Sequence, residues 1–205
     1  MALDTTNALA TLAEAKLHLG YSAVSTYDTM IENMMNAAAA WCNTRTNRLL
    51  MHRLLTEFYD GDGGTSLHLR NYPVTGSATF ELWLSSDDPR VYDSGTLVDA
   101  DDIIKDDDIG LVRLQGEVLP EGARTVKAQY SAGFQIGSSL TLPWDLRHGF
   151  LELVRYWFEK WKSARTGITS TTVEGETIQY EKDVPKDIES IVDRYRRSPR
   201  LHWSH

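Results

Sequence analysis

The segment FYDGDGGTSLHLRNYPV, Phe58 to Val74, lies where the sequence changes from helical to strand-like periodicity. Its first part, Tyr59 to Gly64, contains three glycines and two aspartates. These residues tolerate positive φ or hydrogen-bond their own backbone, so they predict a hairpin turn. Leu67 and Leu69 then alternate with polar residues, as in a half-buried strand. Pro73 ends that strand, because proline cannot donate to a sheet ladder.

Two helices are predicted before this segment. Thr11 to Glu14 has the pattern of a capping box, and Gly20 closes a short helix over Leu12 to Leu19. A second start signal, Ser25 to Asp28, opens a longer helix that runs to about Asn47. Its apolar residues repeat at three-and-four spacing, at Tyr27, Met30, Ile31, Met34, Met35, Ala38, Trp41 and Cys42. This stripe predicts a packed core face, with a methionine-rich partner groove as the alternative.

Short alternating runs between Leu50 and Ala132 predict several antiparallel strands separated by turns. The runs are Leu54 to Tyr59, Ser66 to Arg70, Ala78 to Leu84, Val91 to Tyr92, Leu111 to Leu114, and Thr125 to Tyr130. The acidic stretch Asp99 to Asp108 falls between two of them, so we expect it to form an exposed loop or a weak sheet edge.

A second helical part begins after the strands. Pro143 lies in the first turn of its helix, where the missing N–H is harmless, and the helix persists to about Arg165. Its apolar stripe comprises Leu146, Phe150, Leu153, Val154, Trp157 and Trp161. We expect this stripe to pack against the face between Met30 and Trp41.

The C-terminal part contains a predicted hairpin, a helix and a tail. Thr169 to Tyr180 is rich in threonine, has a Glu-Gly pair at its centre, and predicts a protruding hairpin. A last helix begins at Pro185 and stops before Pro199. The arginine-rich tail beyond it is either a frayed end whose tryptophan packs on its own domain, or an anchor peptide for another protein.

The order of these elements predicts an α+β fold. We expect a small helical bundle with an inserted antiparallel β-rich lobe, a protruding β-hairpin and a C-terminal helix with an extended tail. Residues 1–49 and 141–197 are assigned to the helical core and residues 50–140 to the inserted lobe. Residues 198–205 are assigned to the C-terminal tail, which is a docking tail if the anchor-peptide interpretation holds.

Composition and charge restrict the function classes. No apolar run approaches the ~20 residues that span a bilayer, and Met1 to Gly20 lacks the pattern of a signal peptide, so we expect a cytoplasm-like compartment. The net charge of −8 argues against sequence-independent DNA binding, which needs clustered lysine and arginine. The segment from Glu81 to Asp108 contains ten acidic and two basic residues, so it alone accounts for this net charge. Arginines and histidines accumulate in the last dozen residues, so different faces are expected to meet different neighbours.

The sequence contains no pattern that indicates a catalyst. Cys42 is the single cysteine, which excludes an internal disulfide and a thiolate zinc cage, and its place in the helical stripe predicts a buried thiol. Asp60 to Gly64 resembles the start of a calcium loop, but Asn71 occupies the twelfth position, where such a loop has glutamate. We therefore predict no enzymatic activity, no metal and no cofactor, with a metal-dependent hydrolase using the aspartate-rich lobe as an alternative.

Several short strings in a fixed order carry a family resemblance. They are Leu12 to Leu19, Ala40 to Arg48, Tyr59 to Gly63 with Leu67, Leu69 and Tyr72 to Val74, Val126 to Phe134, Leu142 to Arg147, and Leu153 to Glu159. In this order the sequence resembles the head-tail connector family of long-tailed bacteriophages, also called head completion or adaptor proteins. The resemblance covers most of the chain, but the strand region Ser85 to Gly116 is longer than in the compact members.

The resemblance implies a structural protein of the virion neck, assembled in the host cytoplasm. Such proteins form a ring, commonly of twelve copies, beneath the portal protein at the capsid vertex. The ring prolongs the DNA channel, which DNA crosses without specific binding, and offers its other face to the next neck or tail component. The resemblance implies no cofactor and no membrane, and another neck or tail-completion protein is the nearest alternative.

In similar proteins the C-terminal segment reaches toward the portal. We therefore expect the portal-binding residues to be Arg194, Arg196, Arg197, Arg200, Leu201 and Trp203. The hairpin is expected to contact a ring neighbour or the next tail component through Thr169, Thr171, Val173, Ile178 and Tyr180. Whether Asp99 to Asp108 lines the channel or faces outward stays open.

Overall fold

The computed structural model describes residues 2–75, 80–87, 89–137, 141–163, 170–173, 176–179 and 184–197, with 170–173 and 176–179 described as backbone. Within these ranges the helices are α1 (Leu12–Leu19), α2 (Asp28–Thr46), α3 (Trp144–Lys162) and α4 (Lys186–Asp193). The strands are β1 (Arg53–Gly61), β2 (Ser66–His68), β3 (Glu81–Leu84), β4 (Ile103–Asp106), β5 (Leu111–Leu114), β6 (Gly122–Ala132), β7 (Ser170–Val173) and β8 (Glu176–Gln179). The predicted α+β class is confirmed. Among the described helices, none has the length and apolar character that a bilayer crossing requires.

The chain divides into two compact units. The helical unit, Met1–Arg48 with Gln135–Arg197, contains α1 to α4. The strand unit, Leu49–Phe134, contains β1 to β6. In the sequence, the strand unit is therefore inserted between α2 and α3 of the helical unit.

Local hydrogen bonds define the helix ends in the helical unit. The Thr11 hydroxyl accepts from the Glu14 N–H at 3.3 Å, and the Glu14 carboxylate accepts from the Thr11 N–H at 2.9 Å. Gly20 follows with a φ of 80°, a left-handed conformation that favours glycine. These contacts confirm the predicted capping box and the predicted end of α1. The helix α2 begins at Asp28 without a side-chain cap, since Tyr27, which lacks a short acceptor side chain, occupies the cap position.

The apolar faces of the helices pack into one bundle. The helix α2 packs against α3, α3 packs against α4, and α1 contacts both α2 and α3. The buried residues include Ile31, Met35, Ala38 and Cys42 of α2 and Leu146, Phe150, Leu153 and Val154 of α3. The predicted pairing of these two stripes is confirmed, and burial raises the pKa of the Cys42 thiol to about 12. Trp161, at the end of the α3 stripe, is 41% exposed.

Two three-stranded antiparallel sheets form the strand unit. The first has the order β1-β6-β3, and the second has the order β2-β5-β4. Their apolar faces share one core, to which the first sheet contributes Tyr59, Leu82, Val126 and Tyr130, and the second contributes Leu67, Val112 and Leu114. The strand β1 pairs with β6 from Arg53↔Ala132 to Tyr59↔Val126, so the longest ladder joins residues that are distant in the sequence.

The turn-rich segment between β1 and β2 does not form a hairpin, so that prediction is wrong. The two strands lie in different sheets, and the segment carries the chain from one sheet to the other. The Gly63 N–H donates to the Leu119 carbonyl at 3.0 Å, and the Leu119 N–H donates to the Gly64 carbonyl at 2.7 Å. These bonds hold the segment against the connection between β5 and β6. Glycine and aspartate shape a turn without specifying which strand becomes the partner.

The remaining strand predictions have mixed outcomes. The strand β5 has the predicted bounds, Leu111–Leu114. Val91 to Tyr92 is not a strand, because the Val91 N–H donates to the Ser85 hydroxyl at 3.0 Å instead of to a neighbouring strand. The acidic stretch Asp99 to Asp108 contains a short 3-10 turn and the edge strand β4, which matches the expected weak edge.

A hydrogen-bond network around Glu57 lies inside the strand unit. The hydroxyls of Tyr59 and Tyr130 donate to one carboxylate oxygen, Tyr130 at 2.5 Å, and the Asn71 amide donates to the other at 2.9 Å. The side-chain carbonyl of Asn71 accepts from the Leu49 N–H at 2.6 Å. Burial is the main cause that raises the pKa of both tyrosines. The network therefore ties the turn after β2 to β1 and β6.

Candidate protein-docking sites

The C-terminal end of α4 is clamped to the end of α2. Arg45, in the last turn of α2, donates from Nε and Nη2 to the two Asp193 carboxylate oxygens at 2.8 and 2.7 Å. Its Nη1 donates to Glu189 Oε1 at 2.9 Å. Paired bonds of this kind fix both position and orientation, and the bond from Arg45 lowers the pKa of Asp193. The last turn of α4 therefore has a fixed place on the bundle.

A second contact joins the end of α4 to the start of α3. The Tyr195 hydroxyl donates to Asp145 Oδ1 at 2.5 Å, and Arg194 Nη2 lies 3.3 Å from Asp145 Oδ2. Burial opposes ionisation of Asp145, but the bonds from Tyr195 and from a backbone N–H outweigh it and lower the pKa of the carboxyl. Burial and the bond to Asp145 raise the pKa of Tyr195 to about 12. The Arg197 N–H then donates to the Thr46 carbonyl at 2.9 Å, so the chain is anchored to the bundle as far as Arg197.

These contacts locate three of the six predicted portal-binding residues. Arg194 and Arg196 are exposed, and Arg197 is half-buried. The Arg194 side chain is 60% exposed even though it pairs with Asp145. The sequence does not predict this ion pair, because the pair depends on how α3 and α4 pack. The other three residues lie outside the described ranges: Arg200, Leu201 and Trp203. The portal-binding role of all six stays a prediction.

The backbone of the second predicted contact region forms a two-stranded antiparallel ladder. Ser170–Val173 pairs with Glu176–Gln179, and in this register Thr171 lies opposite Ile178. Val173, which the sequence also predicted as a contact residue, lies opposite Glu176. The predicted contact residues Thr169 and Tyr180 lie outside the described ranges, and the contact role of this ladder stays a prediction.

Four aromatic side chains close the end of the helical unit from which the chain leaves α3. The rings of Tyr21, Tyr27, Phe158 and Trp161 meet with centroids 5.3 to 6.1 Å apart, mostly edge to face. This geometry is favoured because a positive ring edge meets a negative ring face. The cluster fixes the end of α3 that precedes β7. Sequence periodicity missed it, since Tyr21 lies in the connection between α1 and α2 rather than on a helix face.

The order of these elements matches a known protein family. A family model described as Head completion protein matches residues 8–198. This chain belongs to the head completion protein family. The match confirms the resemblance that the sequence carries, and it gives the chain a structural role in head completion.

Three solved structures share the fold of this head completion protein. They are described as "Virion of native gene transfer agent (GTA) particle" (22% identity, TM-score 0.63), "Neck of empty GTA particle computed with C6 symmetry" (20%, 0.64) and "Neck of native GTA particle computed with C12 symmetry" (21%, 0.62). Each match covers 98% of this chain and 95% of the other chain. A comparison with curated protein sequences finds no match.

The two acidic segments that suggest a metal site in the sequence do not form one in the described structure. In the part of the chain that the structure describes, no group of three or more His, Cys, Asp or Glu side chains could hold a metal ion, and this part includes Asp99 to Asp108. Asp60 and Asp62, which resemble a calcium loop in sequence, accept from the N–H groups of Arg124 at 2.7 Å and Gly64 at 3.0 Å. These two carboxylates therefore shape a turn.

Proposed function

We propose that this head completion protein forms a ring of twelve copies beneath the portal protein in the neck of a tailed bacteriophage. The ring extends the DNA channel and provides the attachment surface for the next neck or tail component. The observation that carries this proposal is a fold shared over 98% of this chain and 95% of the other chain with a chain of the structure described as "Neck of native GTA particle computed with C12 symmetry". The family match over residues 8–198 supports the same role.

The tail beyond α4 is the proposed portal-binding segment. The contacts of Arg45, Asp145 and Arg197 support this assignment, because they hold the chain rigidly up to the point where the tail begins. A rigid root lowers the entropy lost when a short peptide docks. In this proposal Leu201 and Trp203 bury against portal subunits. The arginines pair with portal carboxylates: Arg194, Arg196, Arg197 and Arg200.

The hairpin of β7 and β8 and the negative net charge of the chain have other proposed roles. The strands β7 and β8 contact a ring neighbour or the next tail component, since a two-stranded ladder leaves both edges available for further pairing. The net charge of −8 suits a channel that DNA crosses without specific binding, because clustered cations in the wall would retain the phosphate backbone.

Native mass spectrometry with and without purified portal tests this proposal. Deleting residues 198–205 is expected to abolish the complex with portal while circular dichroism stays unchanged, because the bundle anchors Arg197, the last residue that the structure describes. Deleting only Ser204 and His205 is the matched control, and it is expected to retain the complex. Full portal binding by the longer deletion would refute the tail assignment. A chain that binds a tail component but neither portal nor itself would instead support the alternative, another neck or tail-completion protein.

A further inference from the structure

The outer face of the first sheet carries a group of aromatic and cationic side chains, which we call the basic patch: Phe58, Arg90, Tyr92, Arg124 and Lys127. Phe58 on β1 lies directly opposite Lys127 on β6. The Arg124 guanidinium carbon lies 4.2 Å from the centroid of the Phe58 ring, and the Phe58 and Tyr92 rings are 5.5 Å apart. Phe58, Tyr92, Arg90 and Arg124 line an open depression of about 530 Å³.

The cations of the basic patch have no acidic partner within the described ranges. No carboxylate oxygen there lies within 4.0 Å of a side-chain nitrogen of Arg90, Arg124 or Lys127. The Asp60 carboxylate bonds the backbone N–H of Arg124. Arg90 is oriented by bonds to backbone carbonyls, including those of Ser86 at 3.0 Å and Asp87 at 2.6 Å. Phe58 and Tyr92 are half-buried. Arginine next to aromatic rings is typical of the centre of a protein interface, so the patch has the composition of a docking surface.

The turn between β4 and β5 has the complementary composition, and we call it the acidic turn: Asp106 to Ile109. Asp106, Asp107 and Asp108 are all exposed. Ile109 follows them and is 52% exposed, although it is a large apolar residue. An exposed isoleucine bordered by carboxylates matches a depression that has aromatic walls and a cationic rim.

The acidic turn and the basic patch lie at opposite ends of the strand unit. The Val74 N–H donates to the Asp107 carbonyl at 2.8 Å, and Val74 forms a bridge with Ala132 at the end of β6. Arg124 lies near the start of the same strand, eight residues before Ala132. At a rise of about 3.3 Å per residue these two ends are roughly 26 Å apart. The acidic turn of one chain therefore cannot fill the basic patch of the same chain.

We infer that the acidic turn of one copy docks in the basic patch of the next copy. Ile109 enters the depression that Phe58 and Tyr92 line, while the carboxylates of the turn pair with Arg90 and Arg124. The contact joins two different surfaces, and heterologous contacts of this kind generate a closed ring when the rotation between copies closes. The inference rests on the proposed ring function and names the surfaces that build it.

Charge reversal in the full chain tests this contact. Arg124→Glu and Asp108→Lys are each expected to abolish the ring seen for the wild type by native mass spectrometry, because each places like charges at every junction. The backbone bonds of Arg124 to Asp60 and Tyr92 remain available in the first variant, since they do not use its side chain. Glu117→Lys reverses an exposed charge elsewhere in the strand unit and is expected to leave the ring intact.

Two rescue experiments separate lost docking from lost folding. A chain that carries both Arg124→Glu and Asp108→Lys is expected to form rings again, because unlike charges then meet at each junction. Mixing the two single variants is expected to give rings in which they alternate, since every junction in such a ring also pairs unlike charges. A misfolded variant could produce neither result, so either rescue shows that the variants fold. Failure of both rescues in variants that keep the wild-type circular dichroism would overturn the inference.

Parallel measurements with portal distinguish this inference from the proposed function. Single variants that assemble as the wild type does would overturn the inference and leave the ring function standing. Single variants that form rings but lose portal binding would also overturn it, because the basic patch would then bind portal. A wild-type chain that stays monomeric both with and without portal would overturn the proposed function, and the inference with it.

Discussion

The helical unit and the strand unit are stabilised by different kinds of polar contact. In the helical unit, polar contacts such as that of Arg45 with Asp193 join partly exposed side chains at the ends of helices that already pack through apolar stripes. In the strand unit, Glu57 receives hydrogen bonds from buried Tyr59 and Tyr130 inside the fold. A buried donor cannot recover its lost bond from water, so the same kind of substitution is expected to cost more in the strand unit.

Glu57→Ala is expected to have the largest effect and to test this difference directly. The variant leaves two tyrosine hydroxyls and the Asn71 amide without their acceptor. We expect the free energy of unfolding to fall by about 3 kcal/mol, since each unsatisfied buried donor costs about 1–3 kcal/mol. Urea denaturation measures the loss, with Glu81→Ala on the exposed side of β3 as the control. A loss as small as that of Glu81→Ala would contradict the expectation that a lost polar contact costs more in the strand unit than in the helical unit.

Arg45→Ala is expected to have a smaller effect, confined to α4. The variant removes the bonds to Asp193 and Glu189, whose side chains are partly exposed. We expect a loss of about 1–2 kcal/mol, because water can solvate the released carboxylates. Hydrogen exchange of the amides in α4 measures the loosening. Arg45→Lys keeps the charge without the forked geometry, so its α4 amides are expected to be protected less than in the wild type and more than in Arg45→Ala. Full α4 protection in Arg45→Ala would contradict the clamp.

The smallest expected effect is a weakening of the α4 attachment at acid pH. The pKa of Asp145 and the pKa of Asp193 are both lowered in the fold. Their contribution is therefore complete above the unfolded pKa of about 3.9 and is lost as the pH falls through the folded values. Thermal unfolding of the wild type and of the Asp145→Asn, Asp193→Asn variant is expected to differ by a constant amount from pH 8 to 5 and to converge below about pH 4. A constant difference down to pH 2 would argue against this linkage.

The effect at alkaline pH has the opposite sign. The pKa of Tyr195 is raised to about 12, so its bond to Asp145 stabilises the fold in full below the ordinary tyrosine pKa of about 10. This stabilisation is lost as the pH rises from there through about 12. Tyr195→Phe is expected to remove this alkaline dependence without changing the acid one from Asp193. Unchanged alkaline sensitivity in that variant would assign the dependence to another group.

Particular elements show how far the sequence could predict the fold. The helix α1 has the predicted bounds because Thr11, Glu14 and Gly20 act within a few residues of one another. The partner of β1 could not be predicted in this way. The strand pairs with β6 rather than with β2, since the pairing is selected by a core that forms only when both sheets are assembled.

The candidate docking sites show the same division. Periodicity and composition identified Arg194, Arg196 and Arg197 as a basic end of α4, and the acidic stretch as a separate surface. They did not identify Asp145 as the partner of Arg194, or Phe58 and Tyr92 as neighbours in the basic patch. Each of these contacts joins residues that lie on different elements, so no spacing in the chain records it.

The sequence by itself determined the helices, their buried faces, the turn positions and the distribution of charge, because these properties depend on residues that are neighbours along the chain. The tertiary structure alone decided which strands pair, how the carboxylate of Glu57 is satisfied, and where the acidic turn lies relative to the basic patch. These properties depend on contacts between distant residues, whose partners are selected by packing of the whole unit and by the cost of leaving a buried polar group without a bond.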